Sequence, residues 1–149
     1  MLEAHLSSAS SRKNKKKPRF VLHKHWATHL HWDFRLEKDG FLKSWAIPKG
    51  LPDRPGIRRL AIQVEDHELD YIDFQGTISK GYGAGKVKIA DQGNYELIEF
   101  TSKKIRLILK GKKYHGCYNL FKINDKQWLI NKLRNNKGLK KRLLTIPDN

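Results

Sequence analysis

Apolar and polar residues alternate along much of the chain. From His31 to Leu36 the alternation is strict: Trp32, Phe34 and Leu36 fall on one side of an extended strand, and His31, Asp33 and Arg35 on the other. Lys38-Asp39-Gly40 follows as a turn of the Asp-Gly type, with Phe41 to Ile47 as the returning strand of a hairpin. Further extended runs are Phe20 to His23, Leu60 to Val64, Lys86 to Ala90, Tyr95 to Phe100, Ile105 to Leu109, Tyr118 to Ile123 and Gln127 to Leu133. Turn residues separate them: Pro48-Lys49-Gly50-Leu51-Pro52, Gly81-Tyr82-Gly83-Ala84-Gly85, Asp91-Gln92-Gly93 and Asn124-Asp125-Lys126. The only helical signal, a weak one, covers Asn136 to Leu144. Short strands at this spacing predict an all-β barrel or sandwich with little helix.

Outside the alternating region the composition changes. Residues 1–18 combine serines with Arg12-Lys13-Asn14-Lys15-Lys16-Lys17-Pro18 and read as a basic flexible tail, mobile until it meets a partner. Residues 135–149 read as a basic C-terminal extension, which leaves 19–134 as one globular domain. The 149 residues carry a net charge of +16, with a pI of about 10.0. Such a charge attracts polyanions, nucleic acid first and an anionic membrane surface second. No run of 18 apolar residues is present, and the N-terminus has no apolar core for a secretory signal. A monomer in a reducing, cytoplasmic setting is therefore expected. The single cysteine, Cys117, makes no internal disulfide and no cysteine-based zinc site. Cys117, Trp45, Trp128 and Phe121 are read as core residues, and Trp26 as a candidate for stacking on bases.

Candidate chemistry is concentrated in His23-Lys24-His25-Trp26-Ala27-Thr28-His29-Leu30-His31-Trp32-Asp33-Phe34-Arg35, which holds four of the seven histidines. A His-x-Asp pair on one strand face offers two ligands to one ion. A further imidazole would complete an open site for a first-row metal such as Mn, Fe or Zn. His29 continues the same alternation, while His25 would have to return from the preceding segment; spacing does not choose between them. Arg35, one step along the same face, can clamp a phosphate. The bland alternative is polar decoration of a strand. In Val64-Glu65-Asp66-His67-Glu68-Leu69-Asp70-Tyr71, an imidazole and a phenol lie among four carboxylates. This stretch reads either as a solvated turn whose acids offset lysines, or as a source of a proton donor (His67) and a phosphate ligand (Tyr71). The glycine-rich stretch lacks the Gly-Lys-Ser/Thr ending of a P-loop and reads as a tight turn. Basic residues cluster at Lys13 to Arg19, Lys103 to Lys113 and Lys132 to Arg142, the footprint of a polyanion binder.

In order along the chain, five motifs resemble one family. They are Phe20-Val21-Leu22-His23-Lys24-His25, Leu30-His31-Trp32-Asp33-Phe34-Arg35-Leu36-Glu37, Leu42-Lys43-Ser44-Trp45-Ala46-Ile47-Pro48-Lys49-Gly50, Val64-Glu65-Asp66-His67 with Leu69-Asp70-Tyr71, and Gly81-Tyr82-Gly83-Ala84-Gly85. Trp128-Leu129-Ile130-Asn131-Lys132 is similar to the family's last core strand. The family is the 3′-phosphoesterase domain of bacterial and archaeal DNA ligase D, and the resemblance covers about residues 19–134. It implies a compact, closed or partly closed β-barrel and a Mn-dependent activity, with Zn, Co or Mg as other candidates. The implied reaction removes a 3′-terminal ribonucleoside and then the 3′-phosphate, leaving a 3′-hydroxyl on DNA or RNA-tipped ends. The implied metal ligands are His25, His31 and Asp33, and the implied phosphate contacts are Arg35, His67 and Tyr71. His23 and His29 are secondary candidates, and Lys13, Lys15, Lys16, Lys17 and Arg19 are expected to bind nucleic acid.

There are three departures from the family pattern. His23 stands where the family usually has Gln. An upstream Arg-Asp-Phe-type element that assists ribonucleoside removal has no match in residues 1–18. With no polymerase or ligase domain, the chain reads as a stand-alone prokaryotic member, associated with the nucleoid and serving a separate ligase and polymerase. The alternative from another class is a non-catalytic nucleic-acid-binding barrel.

Overall fold

The computed structural model describes residues 17–134 apart from Tyr82. The expected C-terminal helix, the extension 135–149 and all of the basic tail except Lys17 and Pro18 lie outside the described residues. Among the described residues there are nine strands: β1 (Arg19–Trp26), β2 (Leu30–Lys38), β3 (Phe41–Ile47), β4 (Arg58–Glu68), β5 (Gly76–Ile78), β6 (Gly85–Phe100), β7 (Lys104–Gly111), β8 (His115–Asn124) and β9 (Gln127–Lys132). One 3₁₀ turn, Leu69–Asp73, joins β4 to β5 and is the one helical element among the described residues. No helix there is long and apolar enough to cross a membrane.

The order β1-β2-β3-β4-β9-β8-β7-β6 returns to β1 through a further β1–β6 pairing, so eight antiparallel strands close a barrel, as the resemblance implied. β5 lies outside this ring, paired with the start of β6. Alternation fills the interior. Phe20 and Leu22 of β1, Phe34 and Leu36 of β2, Trp45 and Ile47 of β3, and Trp128 and Ile130 of β9 meet in one buried cluster with Tyr95, Leu107 and Tyr118. Burying side chains of this size stabilises by about 1.5–3 kcal/mol each. The buried phenols keep a hydrogen bond, Tyr118 donating to the Pro52 carbonyl at 2.6 Å. Cys117 is fully buried, and burial pushes its thiol up to about 11. Phe121 departs from the expected core role: it is half-buried outside that cluster, with the Arg58 guanidinium 5.8 Å from its ring.

Two sequence expectations are corrected. Asp91-Gln92-Gly93 is not a turn, because β6 runs unbroken through it. The Asp91 carboxylate instead accepts the backbone N–H groups of Lys112, Lys113 and Tyr114, satisfying the loop between β7 and β8. Gly93 is needed because a Cβ there would lie 2.3 Å from the Lys110 carbonyl oxygen. Strand β6 bends at this point, pairing with β1 along its first half and with β7 along its second, and a register shift opposite Leu22/His23 marks the bend. The acidic stretch from Val64 is likewise not all turn. Strand β4 continues to Glu68 before the 3₁₀ turn.

Candidate metal centre

The outward face of β1 to β4 carries the chemistry. Register sets His25 opposite His31, His23 opposite Asp33 and Val21 opposite Arg35 on β1 and β2. Ser44 of β3 lies opposite Arg35, and His67 of β4 lies opposite Leu42. Directly paired residues share a face and have Cβ atoms about 5 Å apart. The 3₁₀ turn roofs this face, with Ile72 packed on Val21 and Leu42 in a second small core that Tyr71 and Ile89 flank.

One donor atom from each of His25, His31 and Asp33 lies within 4.8 Å of the others. The Asp33 carboxylate oxygen Oδ2 is 3.3 Å from His25 Nδ1 and 3.3 Å from His31 Nε2. The remaining ring nitrogens face carbonyls, which can only accept. His25 Nε2–H donates to the Gly83 carbonyl at 2.8 Å, and His31 Nδ1–H donates to the His29 carbonyl at 3.0 Å. Both tautomers are thereby fixed with the inner nitrogens turned toward Asp33, the way metal-ligating histidines are oriented by their outer partners. Two imidazole nitrogens and a carboxylate oxygen fit a first-row divalent ion with positions left for water or substrate. Protonation of His31 Nε2 would let it donate to the Asp33 carboxylate, and this hydrogen bond raises the His31 pKa against the effect of burial. Burial opposes the charge of Asp33, yet the His31 hydrogen bond and the Arg35, His31 and His25 charges together hold its pKa below the usual carboxylate range.

Arg35 is 4 % exposed and fully engaged on one side. Its Nε donates to His23 Nδ1 at 3.2 Å, Nη1 donates to Ser44 Oγ at 2.9 Å, and Nη2 lies 3.4 Å from Asp33 Oδ2. Ser44 Oγ–H in turn donates to the Leu42 carbonyl at 3.0 Å. His23 Nε2–H donates to the Phe74 carbonyl at 3.0 Å, so Nδ1 must be the bare, accepting nitrogen. Burial and then the Arg35 charge lower the His23 pKa to about 4, so the ring is neutral at pH 7. Tyr71 closes the site. Its ring stacks on His67 at 4.4 Å and on Phe74 at 4.9 Å, with the Arg35 guanidinium 5.0 Å from its centroid. Burial raises the Tyr71 pKa, and burial followed by the Arg35 charge lowers that of His67.

The structure thus brings together His23, His25, His31, Asp33, Arg35, His67 and Tyr71. His29 is exposed and contributes its backbone carbonyl. Lys17 is exposed, Arg19 is paired with Asp73 at 2.9 Å, and Lys13, Lys15 and Lys16 lie outside the described residues. In the acidic stretch Asp66 pairs with Lys43 at 3.1 Å, while the stacked rings of His67 and Tyr71 lie beside Arg35. Sequence reasoning missed Ser44, the Gly83 carbonyl and the Phe74 carbonyl. Ser44 stands on the outward face of a hairpin partner and was legible in principle; the two carbonyls leave no mark in residue type.

Fold and site together define a closed antiparallel β-barrel with a histidine–carboxylate cluster and a buried arginine on its outer wall. The family model for the DNA ligase D 3′-phosphoesterase domain matches residues 23–122, and the chain belongs to that family. It is 44% identical over 126 residues to the multifunctional non-homologous end joining protein LigD of Mycobacterium bovis, covering 81% of this chain and 17% of that protein. It is 43% identical over 126 residues to LigD of Pseudomonas aeruginosa, covering 78% and 15%. Against LigD of Mycolicibacterium smegmatis the identity is 39% over 132 residues, covering 80% and 17%. The chain therefore corresponds to one small part of these longer proteins. Membership carries a role in DNA end processing and a hydrolase class of activity.

Proposed function

We propose that the domain is a divalent-metal-dependent phosphoesterase that removes the 3′-phosphate, and also a 3′-terminal ribonucleoside, from DNA ends to leave a 3′-hydroxyl for repair and ligation. The observation that carries the reading is the convergence of His25, His31 and Asp33 within 4.8 Å beside the buried Arg35. Those three residues would hold the ion, with Mn favoured by the family resemblance and Zn, Co and Mg compatible with the donors. When bound, the ion supplies Lewis acidity and an acidified water.

The chain's own groups do the rest. Three of the five N–H groups of Arg35 are directed at His23, Ser44 and Asp33, which leaves two for phosphate oxygens. Tyr71, its phenol kept protonated by burial, donates to a further oxygen. His67 is neutral in the free protein at pH 7, and an arriving phosphate dianion favours its protonated form, from which the leaving 3′ oxygen can take a proton. The substrate is a polymer end rather than a small phosphoester, because a +16 chain gains most from many phosphates. A separate ligase and polymerase would use the healed end, and a monomer in the prokaryotic cytoplasm suits that role.

The test is a primer–template ending in a 3′-phosphate or a single 3′-ribonucleotide, with Mn, Mg and Zn supplied separately. Metal-dependent conversion to a 3′-hydroxyl is expected, with Asp33→Ala abolishing turnover while DNA binding survives. No conversion by folded, metal-loaded, DNA-binding protein would leave the non-catalytic binding barrel as the better reading.

A further inference from the structure

The hairpin that presents His25 and His31 on its outer face presents something different on the other. Trp26 follows His25 at the end of β1 and is 37% exposed, and its cross-strand partner Leu30 is 41% exposed. The Lys24 ammonium lies 4.8 Å from the Trp26 ring centroid and 5.5 Å from that of Trp32, and the Lys86 ammonium lies 5.5 Å from that of Trp26. Neither lysine forms an ion pair among the described residues. The indole thus stands at the surface between two ammonium groups. Its position is fixed. Trp26 pairs with Lys86 of β6, and Gly85 lets the two backbones approach so closely that a Cβ there would lie 2.0 Å from the Trp26 carbonyl oxygen.

The charge around the site is lopsided in a way that gives this indole a role. Glu65, Glu68 and Asp70 are exposed on the last part of β4 and the 3₁₀ turn with no ion pair among the described residues, beside the exposed Asp66 and Asp73 that pair with Lys43 and Arg19. That part of β4 pairs with the beginning of β3, beside the end of β2 remote from the β1–β2 hairpin tip. A strand of phosphates is repelled at that rim and attracted at the hairpin rim, where Trp26, Lys24 and Lys86 stand.

We infer that Trp26, flanked by Lys24 and Lys86, is a stacking platform for an unpaired nucleobase of the strand whose 3′ end enters the metal centre. The base covers the indole face, and the two ammonium groups shift from the ring onto the neighbouring phosphates. This combination of a π-face and flanking cations is how single strands are gripped without sequence preference. The link to the metal centre rests on the phosphoesterase reading; the platform itself does not.

The test uses the full chain, with chelator present, and a dye-labelled oligothymidylate of about ten nucleotides bearing a 3′-hydroxyl. Binding should quench tryptophan emission. Trp26→Ala, with its fold checked by thermal melt, should weaken affinity on the order of tenfold and remove most of the quench, with Trp26→Phe restoring most of the affinity. A blunt duplex of the same length, whose bases are already stacked, should bind both proteins within about twofold. Unchanged affinity of folded Trp26→Ala for the oligothymidylate would overturn the platform, as would an equal loss on the duplex. Conversion of a 3′-phosphate end is measured in parallel on the wild type. Conversion without a Trp26 effect sinks the platform alone, and a Trp26 effect without conversion sinks the phosphoesterase reading alone.

Discussion

His23 shows how a single position can depart from a family pattern and keep its chemistry. Its neighbours demand one acceptor, for Arg35 Nε, and one donor, for the Phe74 carbonyl. A neutral imidazole supplies both, and so does the amide of the Gln that the family usually has there. The two differ in one respect, because imidazole titrates. With a folded value of about 4 against 6.5, His23 resists protonation in the native protein while the unfolded chain accepts the proton. Its contribution is thus fully present above about pH 6.5 and is lost as pH falls toward about 4, amounting to about 3 kcal/mol. His23→Gln should match the wild type in denaturant melts at pH 7 and exceed it at pH 4.5. Parallel decline of the two proteins between those pH values would show that His23 is not held neutral. His23→Leu should instead lose on the order of 1–3 kcal/mol at pH 7, because Arg35 Nε and the Phe74 carbonyl are left without partners. The ligand set shows the limit of reading at this scale. Alternation extended the His31, Asp33 face back to His29, but β2 begins at Leu30, so the alternation does not reach it. His25 reaches the site through its pairing opposite His31, a register across a hairpin that spacing alone does not carry.

At the scale of elements, legibility followed turn chemistry. Strand β3 ran over the expected Phe41 to Ile47, because Asp39 and Gly40 hold the positive φ values of 54° and 85° that their residue types announced. The same reasoning failed at Asp91-Gln92-Gly93, where the aspartate serves a loop about twenty residues away and the glycine serves a close approach. Strand β5 is only Gly76–Ile78 and escaped notice, since three residues carry no period. The glycine-rich stretch was legible as a turn but not as a support for the site. Its Gly83 carbonyl fixes the His25 tautomer, and Gly85, at φ 136°, brings it against the end of β1. Gly85→Ala should therefore destabilise by roughly 1–3 kcal/mol through overpacking and weaken metal binding at the same time. Gly40→Ala, which meets no atom within 4 Å, should cost about 1 kcal/mol of backbone strain and leave metal affinity alone. Thermal melts and metal titrations of the two variants separate the effects. Equal metal affinity in both would remove the loop from the site's support.

For the whole molecule, barrel closure and charge were unequally legible. Closure depends on β1 pairing with β6 across some seventy residues of chain, and no local pattern announces that; the sequence's own signals allowed a sandwich as readily. Charge was plain from composition, yet its distribution changes the expectation placed on the basic tail. Residues 17–134 hold 23 of the 31 basic residues and 13 of the 15 acidic ones, a net charge of +10, whereas residues 1–16 hold four basic residues and one acid. Most of the attraction for a polyanion therefore belongs to the barrel. Each phosphate neutralised contributes about 0.9 to the slope of log affinity against log salt on duplex DNA. Deleting residues 1–16 should flatten that slope by no more than the equivalent of four phosphate contacts and leave clear, salt-dependent binding. Anisotropy titrations across a salt series on a 3′-phosphate primer–template measure it. An unchanged slope would show that the tail touches no phosphate; complete loss of binding would show that the barrel's own charge is too dispersed to hold a strand, and would put the acidic rim of β4, rather than the lysines of the hairpin, in control of the approach to the metal centre.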